Sequence, residues 1–201
     1  MSLALGNATR VAFSEQVTWG TAVARTKGLR IVEDGPALSQ SMLQKTVLGH
    51  ASNHLMVPSK RAVGGPLKLY LPPNGGELLL KHAFGSVATV EGTLEDASNY
   101  YTHTYSLARA LPAPGLSVEV DRDGASAGKA YLYDSCLVNK LTLEQKLEDG
   151  LMMALDLMGR EEEAVDPTGA LTYQSLKTFD WDELAITIGG VAFDCDEFSF
   201  D

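Results

Sequence analysis

Apolar and polar residues alternate along most of this chain. Leu67, Leu69 and Leu71 alternate with Lys68 and Tyr70, Tyr101 to Leu107 with Thr102, Thr104 and Ser106, and Leu116, Val118 and Val120 with Ser117, Glu119 and Asp121. The same period runs from Leu137 through Leu141 and Leu143, from Leu151 to Leu157, and from Leu184 to Ile188, then resumes at Val191 and Phe193 after Gly189-Gly190. A period of two predicts strands with one buried and one wetter face. The connections are rich in Gly and Asp: Asp121 to Gly128, Glu148-Asp149-Gly150 and Asp166-Pro167-Thr168-Gly169. A last strand is predicted over Asp196 to Asp201. Many short strands with regular turns predict a mainly β chain, an antiparallel β-sandwich or small barrel.

One segment has helical spacing. Asn74 is placed to cap it, Glu77 follows, Leu79, Leu80, Ala83 and Phe84 form an apolar stripe, and Gly85 stands where a helix ends. The expected helix, about 74–84, is too short to stand alone and must pack on the sheet. Residues 34–66 carry Ser, Gln, Asn, His and Gly with scattered apolar positions, too long for a structureless loop, and read as an extended hairpin or arm. Residues 1–28 read as an N-terminal arm of the same single domain, 1–201.

Composition narrows the function. The chain is 45% hydrophobic and 21% charged, which excludes intrinsic disorder, and it holds no apolar run long enough for a spanning helix and no evident signal peptide. Two cysteines do not make a disulfide scaffold. The net charge of −10 argues against a grip on nucleic acid. That charge is unevenly spread: residues 1–90 carry +5 and residues 91–201 carry −15, with no acid between Asp34 and Glu77 and no Lys or Arg after Asp180. The split fits either neutralisation within one fold or a subunit with a basic and an acidic end suited to head-to-tail association.

Catalytic chemistry is hard to place. Gly124 to Lys129 has three residues between its glycines and Ala130 after the lysine, so it is a turn and not a phosphate loop. His50 and His54 have no nearby acid to complete a zinc site. Glu161-Glu162-Glu163 and the Asp180 to Glu183 acids read as solvated turns, no nucleophile elbow or Cys–His pair is evident, and no cofactor or enzymatic activity is expected.

Several segments, taken in order, resemble the major tail tube proteins of long-tailed bacteriophages. They are Phe13-Ser14-Glu15 leading to Trp19-Gly20-Thr21-Ala22-Val23, Val63-Gly64-Gly65-Pro66-Leu67 through Leu71-Pro72, and Gly76 to Gly85. Tyr101 to Tyr105, Leu116 to Val120, Tyr133 to Leu143 and Leu151 to Glu161 follow. The resemblance covers roughly residues 10–160 and, more loosely, 180–200; its weight lies in order and spacing, since no one motif is diagnostic. It implies a structural virion protein whose hexameric rings stack into a hollow tube for DNA ejection. Its partners would be further copies of itself and the tape measure, terminator and distal tail proteins, with DNA as passing cargo and no membrane. It would reside in the phage tail, and in host cytoplasm during assembly.

Within that frame the wetter strand faces nominate Glu119, Asp121, Asp134 and Asp156 as lumen-lining acids that repel phosphate. The acid-free arm nominates Lys45, Lys60 and Arg61, with the apolar Leu43, Val47 and Leu48, as contacts to acids of a neighbouring subunit: Glu161, Glu162 and Glu163, or the 180–201 tract. The alternatives are a tube protein of a contractile injection or secretion apparatus, and a monomeric ligand-binding β-barrel, which would need a cavity where large apolar residues stand.

Overall fold

The computed structural model describes residues 9–45, 55–94, 99–109, 114–122, 128–147, 149–173, 178–179, 181–183, 185–193, 195 and 197–200. The elements run β1 (Arg10–Glu15), β2 (Lys27–Leu29), β3 (Ile31–Asp34), β4 (Ala37–Lys45), β5 (Leu55–Tyr70), α1 (Glu77–Phe84), β6 (Gly85–Thr93) and β7 (Asn99–Leu107). They continue with β8 (Leu116–Asp121), β9 (Ala130–Lys146), β10 (Met152–Gly159), β11 (Glu161–Val165), β12 (Thr172–Tyr173), a 3-10 turn (Trp181–Glu183), β13 (Ile186–Ile188), β14 (Val191–Phe193) and β15 (Glu197–Phe200). The chain is mainly β, as the alternation predicts.

Eleven strands form one sheet in the order β12-β2-β1-β8-β9-β10-β5-β3, with β11 and β15 added on β9 and β4 on β5. All its pairings are antiparallel except β12 with β2. Two devices curl this sheet into a half-barrel. Arg30 alone separates β2 from β3, so the chain itself links the last strand of the path, β3, to β2, the second strand from its other end. Strand β9 also takes an extra residue twice, near Ser135 against β8 and at Asn139 against β10, and bulges bend and twist a strand. Ser135 has φ 51°, a left-handed conformation uncommon for a side-chain-bearing residue.

Inside the curl lies one core of Val11, Phe13, Leu67, Leu69, Leu116, Tyr133, Met153, Leu155 and Leu157, filled by large side chains. Burying each such residue is worth roughly 1.5–3 kcal/mol. Helix α1 closes it with Leu79 and His82. The helix starts later than expected: its N-cap is Gly76, not Asn74, and no side chain caps it; the Glu77 carboxylate instead accepts the Gly75 amide at the positive end of the helix. Gly85 ends it as expected, at φ 101° with its amide bonded to the Lys81 carbonyl.

The expected extended hairpin is β4–β5; from Ala62 to Leu55 the strand β5 pairs only with β4 among the described residues. Strands β6 and β7 form a second hairpin that pairs only with itself among the described residues, and β13–β14 a third, smaller one.

Candidate functional site

Strand β8 shows how the nominated acids are placed. All six of its residues are buried, on both faces. Glu119 and Asp121, each 2% exposed, therefore do not face a lumen; this corrects the expectation drawn from alternation. On the second face of β8, Gln16 and the Val23 amide reach Ser117, and the carboxylates of Glu119 and Asp121 are paired. Both Nε and Nη2 of Arg25 donate to one Glu119 oxygen, at 2.8 and 2.6 Å. Thr168 adds its amide and hydroxyl, each at 2.8 Å. Arg10, opposite Asp121 in the β1–β8 register, donates to it from Nη2 at 2.8 Å.

Asp134 is also largely enclosed, accepting from the Gln16 amide and lying 3.6 Å from Arg160 Nη1. Gln16 Nε2 reaches Ser117 Oγ at 3.1 Å as well, Ser135 Oγ donates to Gln16 Oε1 at 3.0 Å, and the Gly20 amide donates to Ser135 Oγ at 2.8 Å. This network fastens the strandless stretch after β1 to the bulge in β9. Asp156 is half-buried and accepts from the bulge residue Asn139 at 3.0 Å.

Along the arm, several of the nominated residues are exposed. Lys60, Arg61, Met42, Leu43 and Met56 are exposed, Met42 by 59% and Met56 by 64%. Neither Lys60 nor Arg61 forms an ion pair among the described residues. Lys45 is described in its backbone only, and Val47 and Leu48, like His50 and His54, lie outside the described residues.

Strand alternation splits the three glutamates of β11. Glu161 and Glu163 are exposed and line a cleft of about 230 Å³ with Gly20, Asp134 and Arg160. Glu162 turns the other way, and its carboxylate accepts the Leu38 amide of the chain's own arm at 3.1 Å. So Glu162 is spent inside the subunit, while Glu161 and Glu163 form no ion pair among the described residues.

Sequence spacing gave no sign of a titratable cluster beside the helix. His82 is buried with Nε2 3.2 Å from Glu15, which also accepts from Lys81 at 2.7 Å. Burial depresses the His82 pKa, and the partial compensation from Glu15 does not offset it. Burial alone would raise the Glu15 pKa, but the hydrogen bond and charge of Lys81, with those of His82, bring it below the ordinary value. Burial pushes the Tyr133 phenol up to about 12 and the Cys136 thiol up to about 12, so both stay protonated. Among the described residues, no three His, Cys, Asp or Glu side chains are grouped to hold a metal, and no helix is long and apolar enough to cross a membrane.

Comparison with known proteins bears on this geometry. Among solved structures, the chain is similar to the anti-feeding prophage tube-terminating cap, with TM-score 0.51, 8% identity, and coverage of 83% of this chain and 93% of that one. It is also similar to a chain of the anti-feeding prophage baseplate, with TM-score 0.50, 9% identity, and coverage of 82% and 97%. At such identities the likeness is one of fold. No curated protein matches the chain by sequence. The model of the phage tail tube protein family matches residues 6–201, so the chain belongs to that family and is a structural component of the virion tail.

Proposed function

We propose that this chain forms hexameric rings that stack into the hollow tube of a phage tail, through which double-stranded DNA leaves the capsid. The observation that carries the reading is a pair of long hairpins, β4–β5 and β6–β7, with exposed apolar side chains and with strand edges that no other strand pairs among the described residues. An isolated two-stranded hairpin is marginal in water, and an open strand edge is a template for another chain. Strands β6 and β7, nine residues each, leave both outer edges unpaired among the described residues and expose Val90, Tyr101 and Leu107. Edge-to-edge joining of such hairpins closes a ring when the rotation between copies closes.

In this reading the arm reaches a neighbouring copy, where Lys60 and Arg61 meet Glu161 and Glu163, and Leu43, Met42 and Met56 supply apolar contact. Lys45, Val47 and Leu48 are assigned to the same contact by their place in the sequence, at and after the end of β4. Exposed ion pairs contribute about 0–1 kcal/mol each, so the charges set direction and register while apolar burial supplies most of the binding. The tube would reject DNA phosphates through the chain's net charge of −10 and not through Glu119 or Asp121.

Negative-stain electron microscopy of the purified protein, over a concentration series at low and high salt, tests the proposal. Rings or stacked tubes with a central hole are the expected outcome. A protein that stays monomeric at every concentration and salt, and does not add to pre-formed tail tips, overturns it. The second reading is a tube subunit of a contractile apparatus. Co-assembly with a sheath protein separates the two.

A further inference from the structure

The β4–β5 arm leaves the body of the protein at a built joint. Strand β10 ends at Gly159, opposite Val63, so beyond that point β5 pairs only with β4 among the described residues. At the joint the backbones crowd together. Gly64 and Gly65 have φ 156° and 144°, and a Cβ on them would sit 2.1 Å from the Leu157 carbonyl oxygen and 2.3 Å from that of Gly35. The Gly35 amide donates to the Pro66 carbonyl at 2.8 Å, which ties the two strands of the joint together.

The first residues of the arm are then held from outside. The Pro36 carbonyl accepts from the Tyr133 hydroxyl at 2.7 Å and from Arg122 Nη2 at 2.8 Å. Two residues on, the Leu38 amide donates to Glu162 at 3.1 Å. Leu38 is paired with Val63 on β5, so this bond braces β4 from the side away from its partner strand. Tyr133 comes from β9, Glu162 from β11 and Arg122 from the residue after β8. Three elements of the body thus converge on two backbone groups at the arm's base.

We propose that Glu162, together with Tyr133 and Arg122, is a clamp that aims the β4–β5 arm and so sets where it meets a second copy of this chain. The inference rests on the reading of the arm as an assembly contact. It assigns Glu162 a positioning role distinct from that of its neighbours. Glu161 and Glu163 face outward to receive, while Glu162 faces inward to point.

The test compares Glu162→Ala with Glu162→Gln, whose side-chain carbonyl still accepts the Leu38 amide, and adds Tyr133→Phe as an independent lesion of the same clamp. Three readouts are taken on the full chain: amide exchange across 37–45 and 55–62, the thermal midpoint, and assembly followed by light scattering and microscopy. Glu162→Ala is expected to speed exchange at Leu38 and its arm neighbours about tenfold, the loss of one backbone hydrogen bond, with core strands and thermal midpoint little changed. Its assembly is expected to slow or give irregular tubes. Glu162→Gln is expected to restore both, and Tyr133→Phe to loosen the arm further. Arm exchange and assembly of Glu162→Ala matching the wild type would overturn the clamp, as would a Glu162→Gln variant as defective as Glu162→Ala. If the wild type forms no rings or tubes, the tube reading fails, and the exchange data still decide the clamp.

Discussion

Ser135 holds a left-handed backbone because its hydroxyl is gripped from two sides, by Gln16 and by the Gly20 amide. Replacing it with Ala keeps the strained conformation and loses both bonds, an expected cost of about 2 kcal/mol in urea unfolding. Ser135→Gly is expected to recover roughly 1 kcal/mol of that, since Gly adopts φ near 51° without a Cβ penalty. Glu119 is the other exacting position. Glu119→Ala strands Arg25 and Thr168, and breaking a buried pair from one side costs about 3–5 kcal/mol, again readable by denaturation. Stability also responds to acid through the helix cluster. His82 has a folded pKa below its ordinary 6.5, so its contribution is intact above that pH and is lost as the pH falls through it. Glu15, held below its ordinary 4.5, adds a second loss below that pH. Thermal midpoints should therefore decline in two stages on acidification; a flat profile down to about pH 5 would refute the His82 stage. None of these sites was legible in the sequence. Arg25 and Glu119 are 94 positions apart, and Ser135 and Gln16 are 119 apart. Alternation placed Glu119 and Asp121 outside because it reads one strand and cannot see the segments that cover it.

Elements were more readable than their partners. The alternation at Leu67 to Leu71, Leu116 to Val120 and Leu151 to Leu157 lies in β5, β8 and β10, and the arm suspected over residues 34–66 is the β4–β5 hairpin. The helix kept its end at Gly85, where the chain needs a positive φ, and shifted its start, because no chain-local signal outweighed the Glu77–Gly75 contact. Strand β6 was missed outright: Gly85-Ser-Val-Ala-Thr-Val-Glu-Gly-Thr93 lacks large alternating apolar residues, since its faces are not buried in the subunit. The arm's joint makes a further element-scale expectation. Gly64→Ala should destabilise by at least about 1 kcal/mol, because the new Cβ collides with β10 backbone that cannot rotate away. Its unfolding midpoint, against that of an exposed control such as Gly169→Ala, checks this.

At the scale of the whole molecule, the uneven charge has a structural counterpart: Lys60 and Arg61 are exposed on the arm and Glu161 and Glu163 on β11, and none of the four forms an ion pair among the described residues. Reversing Lys60 and Arg61 to Glu should block stacking while leaving the monomer folded. Adding Glu161→Lys and Glu163→Lys to that variant should restore it, as only a direct contact between copies would. Sedimentation of the three proteins side by side checks this, and equal assembly by all three would refute the contact. The tail tube role was legible as an ordered series of short segments, and the family match now covers residues 6–201.

The joint at Gly64 also has a mechanical meaning. From Val63 to Leu55 the arm spans eight residue steps, about 26 Å, so a tilt of about 10° at its base carries the tip roughly 5 Å sideways. That is more than a hydrogen bond can follow. In a polymer built from such subunits, the stiffness of this small lever would govern how far the filament bends before its contacts part.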